Sequence, residues 1–352
     1  SDLMAEVFLD LEKIKRPNSG LGQFCLHLSQ NIAKRSKINS LGVYLPKNQF
    51  GLFPNSEKKE WKSIHKIIGV KVKTKVWHSF HQEAVYIPKD KSVKKIVTIH
   101  DLNFLDRYKG SKKAKMLESL QKLISQASAM TFISNYTETI AKQHLIFPKD
   151  IVTQVIYNGV ALNGSIKAEK PYWIIDKVPF LFSIGIIGEK KNFHVLIEMM
   201  NYLPDLNLYI SGKKGSAYAN EIESLIISHK LVNRVFLTGE IEESEKNWLY
   251  KNCSAFVFPS KNEGFGLPVV EAMSFGKPLI LSRLTSLPEI GGSKASYFLS
   301  YEPKSMADTV KKSINDHSLE DRALLKERSK LFSWNKAAKD YLAIYDQLLK
   351  EN

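Results

Sequence analysis

The stretch Phe258-Pro-Ser-Lys-Asn-Glu263-Gly264-Phe265-Gly266-Leu267-Pro268-Val-Val-Glu271-Ala-Met273 decides the reading of this chain. The apolar run Ala255–Phe258 before it reads as a buried parallel strand. Pro268 suits the first turn of a helix, because its missing N–H is unpaired there in any case. The segment is therefore strand, glycine loop, helix, which turns backbone N–H groups and a positive helix end toward an anion. Glu263 and Glu271 stand 271 − 263 = 8 residues apart. Carboxylates at such a place suit hydroxyl-rich groups attached to the anion, since each accepts two or more hydrogen bonds. A sugar or ribose carrying a diphosphate meets both demands; on the spacing alone, a plain glycine turn with two solvated glutamates is the other reading.

The whole string closely resembles the signature of the retaining GT-B glycosyltransferases of family 4. The resemblance implies an α/β fold with two doubly wound, Rossmann-like domains facing across a cleft. It also implies that Glu263 lies against a donor sugar and that Glu271 holds the nucleotide's ribose. Gly264, Phe265, Gly266 and Leu267 would complete this part of the donor site.

Size and composition agree with two domains. At 352 residues the chain exceeds one comfortable core, and its hydrophobic fraction of 43% is ordinary. Cys25 and Cys253 are far apart in sequence, which argues against a disulfide framework or structural zinc and fits a reducing cytoplasm. Cys25 sits among Phe24, Leu28 and Ile32 and reads as a small buried hydrophobe. No run approaches the ~18 apolar residues that span a bilayer, and no signal core opens the chain. Lys and Arg exceed Asp and Glu by 51 − 36 = 15. That surplus draws the protein toward anionic partners, which include phosphorylated substrates, lipid headgroups and nucleic acid.

Strand-like and helix-like runs alternate throughout, the pattern of parallel doubly wound sheets. In the first half, strands are expected at Ala5–Leu9, Leu41–Leu45, Lys73–Trp77, Ile96–Ile99, Ala129–Ile133 and Val152–Ile156, with a helix over Gly20–Arg35. The second half runs through strands near 180–184, 206–210, 235–238, 255–258 and 278–281, with helices between them. The polar stretch Leu162–Lys177 marks the boundary. It separates an acceptor-side domain over 1–165 from a donor-binding domain over 170–333. Trp334–Leu349 is amphipathic through Ala338, Tyr341, Ile344, Tyr345 and Leu348, and the resemblance implies that residues 334–352 pack back on the first domain.

In the second half, Phe182-Ser-Ile-Gly185-Ile-Ile-Gly188-Glu-Lys190-Lys191-Asn192 sets small residues and two lysines between a strand and a helix. Small residues let the backbone approach a ligand, and a lysine is a point charge suited to a diphosphate. The resemblance assigns the diphosphate to Lys191. It also expects an arginine where this chain has Ile186, so Lys190 is the candidate replacement. Phe236-Leu-Thr-Gly239-Glu240 is similar to the family's nucleobase turn, which makes Gly239 and Ile241 candidate contacts.

In the first half, the string Asn18-Ser-Gly20-Leu-Gly22-Gln-Phe24 lacks the third glycine of a dinucleotide fingerprint, and no phosphate-binding P-loop occurs. The resemblance gives Gly20 and Gly22 a place over the donor phosphates; a tight turn is the plainer reading. Val97-Thr-Ile-His100-Asp101 puts His100 and Asp101 at the end of a buried strand, where sites of this fold class sit. The resemblance places His100 beside the donor sugar as a catalytic partner of Glu263, with Asp101 on the acceptor side. Trp77-His78-Ser-Phe-His81-Gln82 ends another strand, and His78 and His81 are acceptor-side candidates.

Lys58–Lys75 reads either as a basic amphipathic helix on an anionic membrane surface or as a surface helix with Trp61 packed on the core. Together these readings predict a hexosyltransferase that needs no metal and no cofactor, the nucleotide sugar being a substrate; retention at the anomeric carbon is what the resemblance implies. The donor leans to GDP-mannose, with a UDP-sugar the other choice, and the acceptor is a glycan or lipid-linked saccharide of a bacterial surface polysaccharide. The expected location is cytoplasmic or peripheral on the inner face of the plasma membrane. A non-catalytic sugar-nucleotide binder and an epimerase of the same architecture are the alternatives. Nucleic-acid binding finds no supporting motif.

Overall fold

The computed structural model describes residues 4–16, 19–36, 41–160 and 167–351. Asn18 of the first glycine string and residues 162–166 of the expected boundary lie outside them. The chain divides into two compact units, one running to Gly159 and resuming at Ser333, the other spanning Val160–Phe332. The division thus falls at Gly159 and Val160, just ahead of the polar stretch that composition singled out.

The first unit begins with β1 (Val7–Asp10), α1 (Gly20–Arg35), β2 (Leu41–Leu45) and β3 (Glu57–Glu60). It continues through the single turn α2 (His65–Ile68), β4 (Val76–Ser79), β5 (Lys94–Ile99), α3 (Phe104–Arg107) and α4 (Gly110–Ile124). Strand β6 (Ala129–Phe132), α5 (Asn135–His144) and β7 (Val152–Val155) complete the run. All seven strands are parallel, in the order β3-β2-β1-β4-β5-β6-β7. Their burial on both faces explains why most read as continuous apolar runs.

Two expectations are corrected here. Lys73–Lys75 precede the strand, which starts at Val76 and ends at Ser79. The Lys58–Lys75 segment is not one helix: Glu57–Glu60 forms the edge strand β3, and only His65–Ile68 turn helically before Gly69 at φ +82°. An edge strand tolerates the charged sequence Glu-Lys-Lys-Glu because one side of its ladder faces water. Trp61 packs inward, edge-on to Tyr86 at 5.8 Å between centroids, with Lys15 Nζ 4.3 Å from its ring centre.

The second unit runs β8 (Phe180–Ile184), α6 (His194–Met199), β9 (Asn207–Ser211), α7 (Ala217–Ser228) and β10 (Val235–Gly239). There follow α8 (Glu243–Asn252), β11 (Ala255–Phe258), α9 (Leu267–Ser274), β12 (Leu279–Leu281), α10 (Leu287–Gly291) and β13 (Ser296–Tyr297). Helices α11 (Pro303–Asp316) and α12 (Leu319–Ser329) close it. Its six parallel strands order as β10-β9-β8-β11-β12-β13. Both sheets therefore start in the middle and wind outward in both directions, so each has a switch point, at β1/β4 and at β8/β11.

The last helix, α13 (Trp334–Lys350), belongs to the first unit. Trp334 meets Phe24 of α1 edge-on at 5.7 Å. Tyr345 and Tyr341 are fully buried and reach strand residues: Tyr345 Oη lies 2.6 Å from His78 Nδ1, and Tyr341 Oη is 3.2 Å from Thr98 Oγ1 and 3.1 Å from Thr131 Oγ1. Among the described residues, no helix is long and apolar enough to cross a membrane.

Candidate functional site

The strand ends of the second sheet, at and beside its switch point, carry the glycines and Lys191 that the sequence singled out. Gly185 follows β8, Gly212 follows β9, and Gly239 ends β10. A Cβ on Gly212 would lie 1.9 Å from the Gly185 carbonyl oxygen, and the Gly212 N–H donates to the Gly239 carbonyl at 2.8 Å. These strand ends can pack so closely only because side chains are missing there. A Cβ on Gly185 would sit 2.8 Å from Lys191 Cε, so the lysine stem lies directly over that backbone.

Lys191 is held inward by a tight turn over Glu189–Lys191, after which Asn192 takes a left-handed φ of +59°. Its Nζ donates to Glu263 Oε1 at 2.5 Å and sits 4.8 Å from the Phe258 ring centre. The two side chains are 10% and 12% exposed, so the ion pair is close to buried. Ser260 Oγ donates to the same Glu263 oxygen at 2.6 Å. Ser286 Oγ secures the loop by donating to the Glu263 carbonyl at 2.8 Å, and the Glu263 N–H donates to Thr285 Oγ1 at 3.1 Å. Gly266, at φ +97°, caps the N-terminus of α9, with Leu267 its first residue and Pro268 in its first turn. Phe265 is buried edge-on to Phe332 at 5.6 Å.

Glu271 lies on the same helix with both carboxylate oxygens engaged. Lys246 Nζ of α8 is 3.0 Å from Oε1, and the Tyr250 hydroxyl donates to Oε2 at 2.8 Å. Lys246 also pairs with Glu243 at 3.0 Å. Burial opposes the Lys246 charge, but Glu271 and Glu243 outweigh it and move its pKa above the usual value. Burial raises the Tyr250 hydroxyl pKa strongly, with the Glu271 charge adding to it, so the tyrosine stays a donor. Each oxygen of Glu271 keeps a lone pair for a further hydroxyl.

Lys190 and Ile186, by contrast, are exposed. The Lys190 backbone carbonyl accepts from the Lys261 N–H at 2.7 Å, so this residue ties two loops together through its main chain. Gly239 and Ile241 are half-buried at the end of β10.

In the first unit His100 follows β5. Its Nε2 is 2.8 Å from the Phe80 carbonyl, which can only accept, so Nε2 carries the proton and Nδ1 is the free acceptor. Its backbone N–H donates to Gln82 Oε1 at 3.0 Å, and its ring meets Phe24 edge-on at 4.4 Å. Burial lowers its pKa, partly opposed by the Phe80 bond and by Asp101. Asp101 Oδ1 accepts from the Asn103 N–H at 2.9 Å and so shapes the turn.

The other first-unit candidates divide. His78 is fully buried, with Tyr345 on Nδ1 and Thr98 on Nε2 at 2.7 Å. It has no ring nitrogen left for an acceptor, which corrects its acceptor-side assignment: it is a core histidine beneath α13. His81 is 4% exposed, and its pKa is pushed to about 3 by burial, then by Lys13 and His100. Gly22 is buried, and a Cβ there would lie 1.9 Å from the Arg16 carbonyl oxygen. Its role is the tight turn capped by Ser19, whose Oγ accepts the Gly22 N–H at 3.0 Å. Gly20 is exposed, with open space around it.

Sequence reading missed Lys246, Tyr250 and Ser260, all tied to the two glutamates. It also missed Asp10, at the end of β1, which is 1% exposed. Burial pushes the Asp10 carboxyl up to about 8, against a lowering bond from the Glu12 N–H. The placement of Lys246 and Tyr250 at i and i+4 on one helix face was the available signal.

Two Rossmann-ordered sheets, the second with a lysine–glutamate pair beside the glycine at the end of its first strand, give the chain a GT-B fold. Residues 166–332, within the second unit, match the family model of glycosyl transferases group 1. Among curated proteins, O-antigen chain mannosyltransferase B of Escherichia coli is 21% identical over 97% of this chain and 100% of its own length. The serotype-specific mannosyltransferase WbdA of Escherichia coli is 30% identical over 49% of this chain; the match spans 22% of that protein. The crystal structure of Anabaena HepE in complex with UDP and glucose superposes with a TM-score of 0.75. The two are 16% identical over 97% of this chain and 99% of that one.

Proposed function

We propose that this protein transfers a hexose from a nucleotide-diphosphate sugar to a glycan or lipid-linked saccharide, with retention at the anomeric carbon. GDP-mannose is the favoured donor and a UDP-sugar the second choice. The observation that carries the reading is the near-buried Lys191–Glu263 pair over the Gly185 backbone, at the end of β8 beside the sheet's switch point. A lysine there offsets charge on a departing diphosphate, and the α9 N-terminus adds amide donors. Glu263 accepts hydroxyl bonds from the sugar, and Glu271 does so from the ribose. His100 of the first unit, neutral and with Nδ1 unprotonated, is suited to accept a hydroxyl bond.

In the proposed reaction the bond from the anomeric carbon to the diphosphate oxygen breaks, and the acceptor oxygen bonds to the same face of that carbon. The acceptor's proton ends on the departing diphosphate, so no protein carboxylate need serve as base and no metal is required. The relatives named as O-antigen and serotype mannosyltransferases support mannose and a surface-polysaccharide acceptor. The net charge of +15 supports an anionic partner such as the inner membrane surface.

A panel of GDP- and UDP-sugars, followed by melting temperature and by release of nucleotide, tests the reading. The expected result is a raised melting point with GDP-mannose, and GDP release on adding acceptor that Glu263→Gln abolishes. If no nucleotide sugar shifts the melting point and none is consumed, the reading is overturned.

A further inference from the structure

A second concave site lies in the first unit, apart from His100. It is a groove of about 860 Å³ to which Lys66, Lys89, Lys91, Lys95 and Lys122 all contribute, and no carboxylate lines it. Three of those lysines, Lys66, Lys91 and Lys122, make no ion pair or side-chain hydrogen bond among the described residues. Lys89 Nζ donates to the Ile67 carbonyl at 2.8 Å. Lys95 is 4% exposed, and its Nζ donates to the carbonyls of Asp90 and Val93, both at 3.1 Å.

An ammonium has three N–H donors, so Lys95 keeps one beyond these two carbonyls. Burial pulls its pKa down, with Asp90 opposing. The Asp90 carboxylate is itself turned to the Ser92 N–H at 2.8 Å and the Ser92 hydroxyl at 2.7 Å. Five like charges share one groove with no carboxylate in its wall. Lys66, Lys91 and Lys122 thus leave their donors open toward the groove, and a multiply charged anion would accept from several of them at once.

We propose that this groove binds a ligand bearing two or more closely spaced phosphate charges. The inference deepens the reading of an anionic partner and rests on that part of it, while owing nothing to the donor site. The phosphates have two natural sources, a soluble diphosphate group or an anionic lipid headgroup. The groove shares Val85 with a neighbouring recess of about 380 Å³, lined among others by Phe104, Met116 and Leu120. Ile67 and Ile68 beside Lys66 are 70% and 46% exposed, so apolar surface lies within reach of a ligand's acyl chain.

The test uses the whole protein at low salt, with sodium pyrophosphate in calorimetry and vesicles of phosphatidylcholine with cardiolipin, whose headgroup carries two phosphates, in flotation. Phosphatidylcholine vesicles serve as the blank. The variant Lys66→Gln/Lys91→Gln/Lys122→Gln is compared with Lys142→Gln/Lys312→Gln/Lys336→Gln. The comparison variant removes the same charge from exposed helix pairs elsewhere. A Lys191→Met background silences pyrophosphate binding at the donor site.

The groove variant is expected to bind at least about tenfold more weakly while the comparison variant stays within about twofold. Loss in calorimetry alone marks a soluble diphosphate, and loss in flotation marks a lipid headgroup; either supports the site. The proposal is overturned if the unaltered protein binds neither probe, or if both triple variants weaken equally. Nucleotide affinity of the groove variant, measured alongside, stays unchanged if the donor site stands alone. A failure of the groove therefore differs from a failure of the donor reading.

Discussion

At the scale of single residues, the Lys191–Glu263 pair is the most consequential contact in the second unit. Removing one partner of a near-buried pair leaves the other's charge uncompensated, a loss of about 3 kcal/mol. Lys191→Met should therefore lower the unfolding free energy by roughly that amount. Lys191→Met/Glu263→Gln should recover much of it; a double variant no more stable than the single would show that the pair is not coupled. Nucleotide affinity should fall in both. Tyr250→Phe removes one of the two bonds that orient Glu271, so donor KM should rise several-fold with kcat nearly kept. A fall in kcat at constant KM would instead place Tyr250 in the chemistry.

At the scale of elements, helix α13 and the glycine-lined strand ends carry the argument. Tyr345→Phe leaves His78 Nδ1 buried without its partner, and a loss of about 1–3 kcal/mol should appear in urea unfolding. Gly212→Ala should cost more, because its Cβ would overlap the Gly185 carbonyl and its φ of +146° disfavours a side chain. The expected outcome is a lower melting point together with weakened nucleotide binding. Normal nucleotide binding would mean that these strand ends do not shape the donor site.

The sequence disclosed elements of this kind unevenly. Strand β11, the Glu263 loop and α9 were legible because an apolar run, glycines and Pro268 each fix a local conformation. Strand β3 was not, since Glu57-Lys-Lys-Glu60 has no apolar residue and its pairing with β2 is a long-range event. His78 and His100 both end or follow apolar runs, and sequence alone could not say that one points beneath α13. Nor could it show that α8 brings Lys246 and Tyr250 to Glu271, because those contacts depend on tertiary packing across 25 and 21 residues.

At the scale of the whole molecule, opposing titrations set the pH range. His78 and His81 titrate near 3 in the fold, against about 6.5 when unfolded. The unfolded chain thus binds more protons between these values, and stability falls as pH drops from 6.5 toward 3. Asp10 works the other way. Its carboxyl is raised from 3.8 to about 8, so the folded state holds the extra proton and stability declines as pH rises toward 8. The lowered histidines outweigh one carboxyl on the acid side, and Asp10, raised to about 8, acts between 6.5 and 8. Melting temperature should therefore peak near pH 6.5, and Asp10→Asn should flatten the alkaline limb. An unchanged limb in that variant would remove Asp10 as its cause.

The return of α13 to the first sheet sets an order of assembly during synthesis. The ribosome delivers every strand of the second unit before it delivers Tyr341 and Tyr345, the side chains that meet Thr98, Thr131 and His78. Until they emerge, the nascent first unit carries an open seam where buried polar groups wait for their hydroxyl partners. The first unit therefore completes its folding only after the whole of the second unit has been synthesised.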